Sequence, residues 1–331
     1  MRRLAPLALF GAMLFVGAPA VGAAPEGPKL AFPLACEIGR TCEVQNYVDR
    51  DPSPGVLDYR CGHRTYDKHD GVDIRVLSMA AQRAGVAVLA AAPGRVLRVR
   101  DGLPDISIRA PGAPALNGQD CGNGVVVEVA PGWITGYCHL ARGSVRVKPG
   151  DAVAVGQPLA KVGLSGNTEF PHLHFMVRHN NAVVDPFAPD PAQTTACKPQ
   201  ASLWTPSAAQ ALAYRRGVVL NTGFAAGVAA PEAVEEATVA APSLASPAIV
   251  AYVRTIGLEA GDELELTVKG PDGAVVATNR SAPLDHDKAY YLSQVGRKRP
   301  PAGWPPGVYS AEYRVYRHGA VAITQRFQMR I

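Results

Sequence analysis

Apolar and polar residues alternate in short runs over most of this chain, and a period of two marks strands with one buried face. Val86–Ala90, Arg95–Arg100, Val125–Val129, Trp133–Tyr137 and His172–Arg178 are alternating or β-branched runs, punctuated by Gly, Pro and Asp. Ala130-Pro131-Gly132 predicts a turn that folds Val125–Val129 and Trp133–Tyr137 into a hairpin. Farther on, Glu263–Val268 alternates and turns at Pro271-Asp272-Gly273 into Ala274–Thr278, and Tyr309–Tyr316 pairs with Val321–Phe327 around His318-Gly319. One helix stands out. Thr205 suits its N-cap, Pro206 its first turn and Gly217 its stop. The fold class expected is all-β.

Changes in composition divide the chain. Arg2 and Arg3 precede an apolar run, Leu7 to Val16, that is short for a membrane span and is followed by small residues. This predicts a signal peptide over 1–23, cleaved after Ala23. Residues 24–58 form a mixed, Pro-rich N-terminal segment in which Asn46-Tyr47-Val48-Asp49 is the strand-like piece. Residues 59–199 read as the first β domain, 200–247 as an Ala-rich linker with a short helix and a strand at Val218–Leu220, and 248–331 as a second β module. Repeated hairpins in the second module suggest a small β-sandwich. No stretch after the leader is long and apolar enough to cross a membrane, so the mature chain has no expected span.

Loss of the leader removes Arg2 and Arg3, and the formal charge falls from +5 to +3. That mild balance is no nucleic-acid signature and is compatible with work beside an anionic cell wall. Six cysteines in an exported chain predict three disulfides. Several connectivities are open. Proximity favours Cys121–Cys138 across the hairpin, Cys36–Cys42 as a small loop and Cys61–Cys197 as the remaining pair. A metal-binding role for the cysteines is disfavoured, because no Cys-x-x-Cys pair is present.

Candidate chemistry lies in three motifs: His69-Asp70-Gly71-Val72-Asp73, Tyr137-Cys138-His139-Leu140 and Pro171-His172-Leu173-His174-Phe175. His172 and His174 share one face of a strand, because residues i and i+2 do so. Gly71 permits a sharp or left-handed turn between His69 and Asp73. Each motif alone has an ordinary reading, such as a hydrogen-bonded surface histidine or a satisfied core one. Two imidazoles and a carboxylate can also form a zinc site with an open fourth position. His286 and His318 are read as surface residues.

Taken together and in this order, the motifs resemble the lysostaphin/LytM-type zinc metallopeptidase family. Its pattern is His-x-Gly-x-Asp, a tyrosine-rich strand ending in His-Leu, and His-Leu-His-Phe. The resemblance runs from about Tyr59 to Phe187 and includes Pro93-Gly94-Arg95-Val96, Gly122-Asn123-Gly124-Val125, Val147-Lys148-Pro149-Gly150-Asp151, Gly156-Gln157 and Gly163-Leu164-Ser165-Gly166. It implies an antiparallel β-sheet groove of LytM-like peptidase type, Zn²⁺ held by His69, Asp73 and His174, and His139 and His172 as the catalytic pair. It further implies a metalloendopeptidase whose substrate is a peptide of bacterial peptidoglycan, and the leader predicts delivery to the periplasm or beyond. In some family members an N-terminal segment inhibits the groove; Asn46 or Asp49 would be the residue to reach the metal here. One departure is the insertion from Leu103 to Asp120, expected as a loop near the groove, which puts substrate preference in doubt.

Two other readings compete. Some LytM-like proteins have lost ligands and regulate wall amidases without cleaving anything, and a secreted peptidase could act on glycine-rich proteins. All five polar positions are present, which favours an enzyme. The C-terminal module carries no recognisable chemistry; a cell-wall contact, a protein partner and simple stabilisation are all open for it. For the leader the expected outcome is plain: N-terminal sequencing of the exported protein begins near Ala24, and a mature chain starting at Met1 would contradict it.

Overall fold

The structure is a computed structural model, and it describes residues 27–113, 115–190, 197 and 201–331. The expected signal peptide lies outside the described residues. In chain order the first half holds β1 (Cys42–Asn46), β2 (Val72–Val76), α1 (Met79–Ala84), β3 (Ala87–Leu89), β4 (Gly94–Arg100), β5 (Asn123–Ala130), β6 (Trp133–Leu140), β7 (Ala152–Val153), β8 (Pro158–Lys161), β9 (His172–His179) and β10 (Ala182–Val183). Antiparallel pairing gives the sheet order β1-β2-β9-β6-β5-β4-β7, with β10 beside β9. The alternating run at Val86–Ala90 becomes β3, which leaves this sheet and pairs with β8 instead.

One face of the sheet is the core. Val72 and Ile74 of β2, Leu173 and Phe175 of β9, and Val125 and Val127 of β5 are fully buried there. The other face of β2 and β9 carries the polar residues of the motifs. Burial of a large apolar side chain is worth about 1.5–3 kcal/mol, so this pattern fixes which face each strand turns inward.

The N-terminal segment is part of this core, which corrects its reading as a piece preceding the domain. β1 ends at Asn46, where the strand-like text was expected to begin, and pairs with β2. Leu30, Leu34, Tyr47 and Val48 are buried in the same cluster. Leu30 also bridges to Trp204 in a short parallel contact, with Leu30 N–H donating to Leu203 O at 2.8 Å and Thr205 N–H to Leu30 O at 2.8 Å. The two ends of the first half are thereby tied to one another.

The second half holds α2 (Pro206–Ala211), β11 (Val218–Ala225), α3 (Pro231–Glu236), β12 (Ala248–Ile256), β13 (Glu263–Lys269), β14 (Val275–Arg280), β15 (Tyr291–Lys298), β16 (Val308–Arg317) and β17 (Ala320–Arg330). Sheet β11-β12-β15 packs on sheet β14-β13-β16-β17. Ile249, Ala251 and Val253 of β12 meet Leu264, Leu266 and Val268 of β13 and Tyr309, Tyr313 and Val315 of β16 in one core. This is a β-sandwich. Its first strand, β11, comes from the stretch read as a linker; the strand expected at Val218–Leu220 runs on to Ala225, and a second helix, α3, follows it.

Helix α2 starts as expected, with Thr205 Oγ1 accepting from Ala208 N–H, but stops at Leu212 rather than at Gly217. Tertiary contacts end it. The Tyr214 hydroxyl donates to Asp58 at 2.7 Å while its ring packs on Tyr47, and Arg215 pairs with Glu43 at 2.8 Å. A continued helix would turn these side chains apart. Helix α1 has no counterpart in the sequence reading; its six residues are too few to show a period. His286 and His318 are exposed.

All six cysteines pair, as Cys36–Cys42, Cys61–Cys197 and Cys121–Cys138. The last bridge joins Cys121, two residues before β5, to Cys138 of β6 beside His139. Replacing Cys121 and Cys138 together by Ala should cost about 2–5 kcal/mol of unfolding free energy, measured by denaturant titration. An unchanged midpoint would show the bridge to be dispensable.

Candidate metal centre

The β2–β9 register builds the centre. Asp73 lies opposite His174 and Arg75 opposite His172, so alternation puts all four on the non-core face. His69 reaches the same point from the loop before β2. Gly71, which permits a sharp or left-handed turn, serves close approach here. A Cβ at Gly71 would lie 2.6 Å from the His174 ring and 2.8 Å from Phe175 O. The left-handed residue of this loop is Lys68, at φ 64°.

Asp73 Oδ1 is the hub. It lies 2.9 Å from His174 Nδ1, 3.1 Å from His69 Nε2 and 3.3 Å from His172 Nε2. One donor atom each of His69, Asp73 and His174 fall within 4.8 Å of one another, and all three residues are buried. Two nitrogens and a carboxylate oxygen, converging with their backs already hydrogen-bonded, fit a zinc ion by ligand type and number.

The outer bonds set which nitrogen faces inward. Nδ1–H of His69 donates to Tyr47 O at 2.6 Å, leaving Nε2 for the centre. His174 uses Nδ1 inward, and its Nε2–H donates to Asp70 at 3.1 Å. Asp70 is held in turn by Arg178. Such outer partners orient ligands and tune their basicity. Asn46 Nδ2 donates to Asp73 Oδ2 at 2.9 Å. Asp49 stays away, its carboxylate accepting the backbone N–H groups of Asp51, Leu57 and Lys68.

His139 arrives by a different route. On β6, Tyr137 faces the core opposite Phe175 and Cys138 lies opposite His174. Strict alternation would then send His139 into the core. Between the β5–β6 pairs Asn123–Leu140 and Val125–Tyr137, however, two residues, Cys138 and His139, oppose Gly124 alone. His139 takes a left-handed φ of 60° in this bulge. Its ring ends 4.6 Å from the His172 ring and 5.9 Å from that of His174. Gly124 makes the bulge fit, because a Cβ there would meet Cys121 Sγ at 2.8 Å. Nδ1–H of His139 donates to Ser165 O at 2.8 Å, which leaves Nε2 as its acceptor, and Nδ1–H of His172 donates to Phe170 O at 3.0 Å, which turns its Nε2 to the centre. The insertion runs beside them: Ile108 N–H donates to Thr168 O at 3.0 Å and Arg109 pairs with Glu169 at 2.8 Å.

Charge states follow from the packing. Burial pushes His139 well below the usual imidazole range, reinforced by His172 and His174, so it is neutral at pH 7. Burial opposes charge on His174, but hydrogen bonds to Asp70 and Asp73 and their charges outweigh it and push its pKa up to about 9. Burial likewise opposes charge on Asp73, and His69, His172 and His174 still hold it well below the carboxylate range.

Residues 67–186 match peptidase family M23. That match covers β2 to β10 and takes in all five motif residues, so this part of the chain is similar to M23 peptidases. Cell division protein DipM of Caulobacter vibrioides is 39% identical over 101 residues, 26% of this chain and 16% of that protein, so the match spans about a sixth of the relative's length. A zinc-containing peptidase from Vibrio cholerae is 28% identical over 43% of this chain and 38% of that one, at a TM-score of 0.28. The catalytic domain of lysostaphin from Staphylococcus simulans is 23% identical over 43% of this chain and 85% of that one, also at 0.28.

The structure brings all five motif residues together. Sequence reasoning passed over Asp70, whose place inside the first motif was visible although its bond to His174 was not. It also missed the Tyr47 carbonyl, which no side-chain pattern could reveal. In the metal-free protein a cation must displace the His174 proton at neutral pH. Zinc affinity should therefore rise about tenfold per pH unit up to about pH 9 and flatten above it. Competition titration against a chelating dye measures this, and an affinity that does not change from about pH 7 to about pH 8 would refute it.

Proposed function

We propose that this protein is a zinc-dependent metalloendopeptidase that cleaves peptide bonds of bacterial peptidoglycan outside the cytoplasm. The observation that carries the reading is the convergence of His69, Asp73 and His174, with His139 and His172 beside them, inside the stretch similar to M23 peptidases. Three points support peptidoglycan as substrate: the resemblance of the three motifs to the lysostaphin/LytM type, the disulfides that fit export, and a sequence relative named as a cell division protein. Among the described residues no helix is long and apolar enough to cross a membrane.

His69 Nε2, Asp73 Oδ1 and His174 Nδ1 would hold the ion. Zinc supplies Lewis acidity, which polarises the scissile carbonyl and acidifies a water. The chain's own task is proton handling. Nε2 of neutral His139 accepts the water proton, with the ring aimed by its bond to Ser165 O. His172, fixed by Phe170 O, turns Nε2 to the centre beside Asp73, and an N–H there would stabilise charge as the carbonyl is attacked. The proton then passes from His139 to the leaving amine. The insertion from Leu103 to Asp120 borders this pair and is the part of the rim where substrate preference would be set.

Zinc content and cleavage of purified peptidoglycan, measured on folded variants, test the roles. His174→Ala should lose both metal and activity. His139→Ala should keep its zinc while turnover falls ~10²–10⁴-fold, and His172→Ala should behave alike with some loosening of the metal. If His139→Ala loses zinc and His174→Ala keeps it, the roles are reversed. A folded parent without zinc and without cleavage would favour the non-enzymatic regulator of wall amidases.

A further inference from the structure

Arg75 lies on the same face as Asp73, opposite His172, yet is almost fully buried. Its cover comes from the second half of the chain. Nη2 of Arg75 donates to both carboxylate oxygens of Glu235 on α3, at 3.1 and 2.9 Å, and Nη1 to Gln45 Oε1 at 3.2 Å. Glu235 is held in turn by Arg254 of β12, whose Nε donates to Asn221 Oδ1 at 2.6 Å and whose Nη2 donates to Leu77 O. Val234 of α3 packs with Ala225 and Tyr252, so the helix is anchored on the sheet of β11 and β12.

On its other side the Arg75 guanidinium lies over the Phe170 ring at 4.4 Å. Phe170 packs on the His172 ring at 4.8 Å between centroids, and its carbonyl takes the His172 Nδ1 proton. A chain of contacts therefore runs from Glu235 through Arg75 and Phe170 to one member of the catalytic pair. Burying two guanidiniums around a half-buried carboxylate is a poor way to gain stability, because desolvation offsets the attraction. A planar guanidinium clamped on one edge and stacked on its face is, however, a good way to fix an aromatic ring.

We propose that Glu235 and Arg75 are positioning residues for His172, so that the second half of the chain sets the geometry of the catalytic pair. This rests on the peptidase reading above. Residues outside 67–186 then govern turnover without touching substrate or metal.

The test uses the full chain. Glu235→Gln and Phe170→Leu should each lower kcat about 10–100-fold, the scale of a small misplacement of a reacting group. KM and zinc content should stay near the parent's. The double variant should be no slower than Phe170→Leu alone, because both act through one path. Nuclear Overhauser contacts between the Phe170 and His172 rings should weaken in Glu235→Gln. That readout needs neither metal nor activity, so it stands even if the parent proves not to be a peptidase. Glu235 is partly exposed and its Gln replacement can be hydrated, which favours folding; Arg75→Lys, which keeps the charge but loses the flat face, is the second variant and should show the same kcat loss. Additive losses in the double variant, or unchanged kcat and ring contacts in both Glu235→Gln and Arg75→Lys, would overturn the proposal.

Discussion

The centre depends on the register of β2 against β9. Antiparallel pairing sets Asp73 opposite His174, and Arg75 opposite His172, with the core residues Ile74 and Leu173 between them on the reverse face. A slip of one residue would exchange the faces, sending imidazoles into the core and leucine into the groove. The apolar side therefore enforces the polar side. Gly71 completes the constraint, since its missing side chain is what lets the His174 ring stand against the loop carrying His69.

Much of this was legible because it is local. The period of two located β5, β6, β9, β13 and β16, and the spacing of His172 and His174 put them on one face before any contact was known. What failed was non-local. β1 and Leu30 looked like leading text because nothing in residues 24–58 shows that they complete a core made elsewhere. α2 stopped early for the sake of Tyr214 and Arg215. At His139 alternation gives the wrong face, and only the pairing across β5 reveals the extra residue that turns it around. A family pattern could name that histidine; the bulge explains how it gets there.

Several polar contacts join the β-sandwich to the sheet that carries the centre. Besides the Arg75–Glu235–Arg254 contacts, Gln45 Nε2 donates to Ala289 O at 3.0 Å and Asn221 Nδ2 to Leu77 O at 3.2 Å. Hydrogen bonds of this kind add only about 0.5–1.5 kcal/mol each, but they are directional. They fix orientation where a greasy interface would allow sliding. That suits a boundary lying one residue beyond the strand that carries Asp73.

The short bridge between Leu30 and Trp204 has a consequence in time. A polypeptide is made from its N-terminus, so Leu30 has no partner at that place until the chain has grown to Trp204. Until then a core cluster that includes Leu203, Trp204 and Leu212 stays open on one side. Closing a loop of that length is entropically costly and slow relative to a hairpin. The hairpin β5–β6 can form early, while the clamp on Arg75 must wait for Glu235 and Arg254. All five motif residues precede Trp204 in the chain, whereas Glu235 and Arg254 follow it, so the surroundings of the centre are complete only in the finished chain.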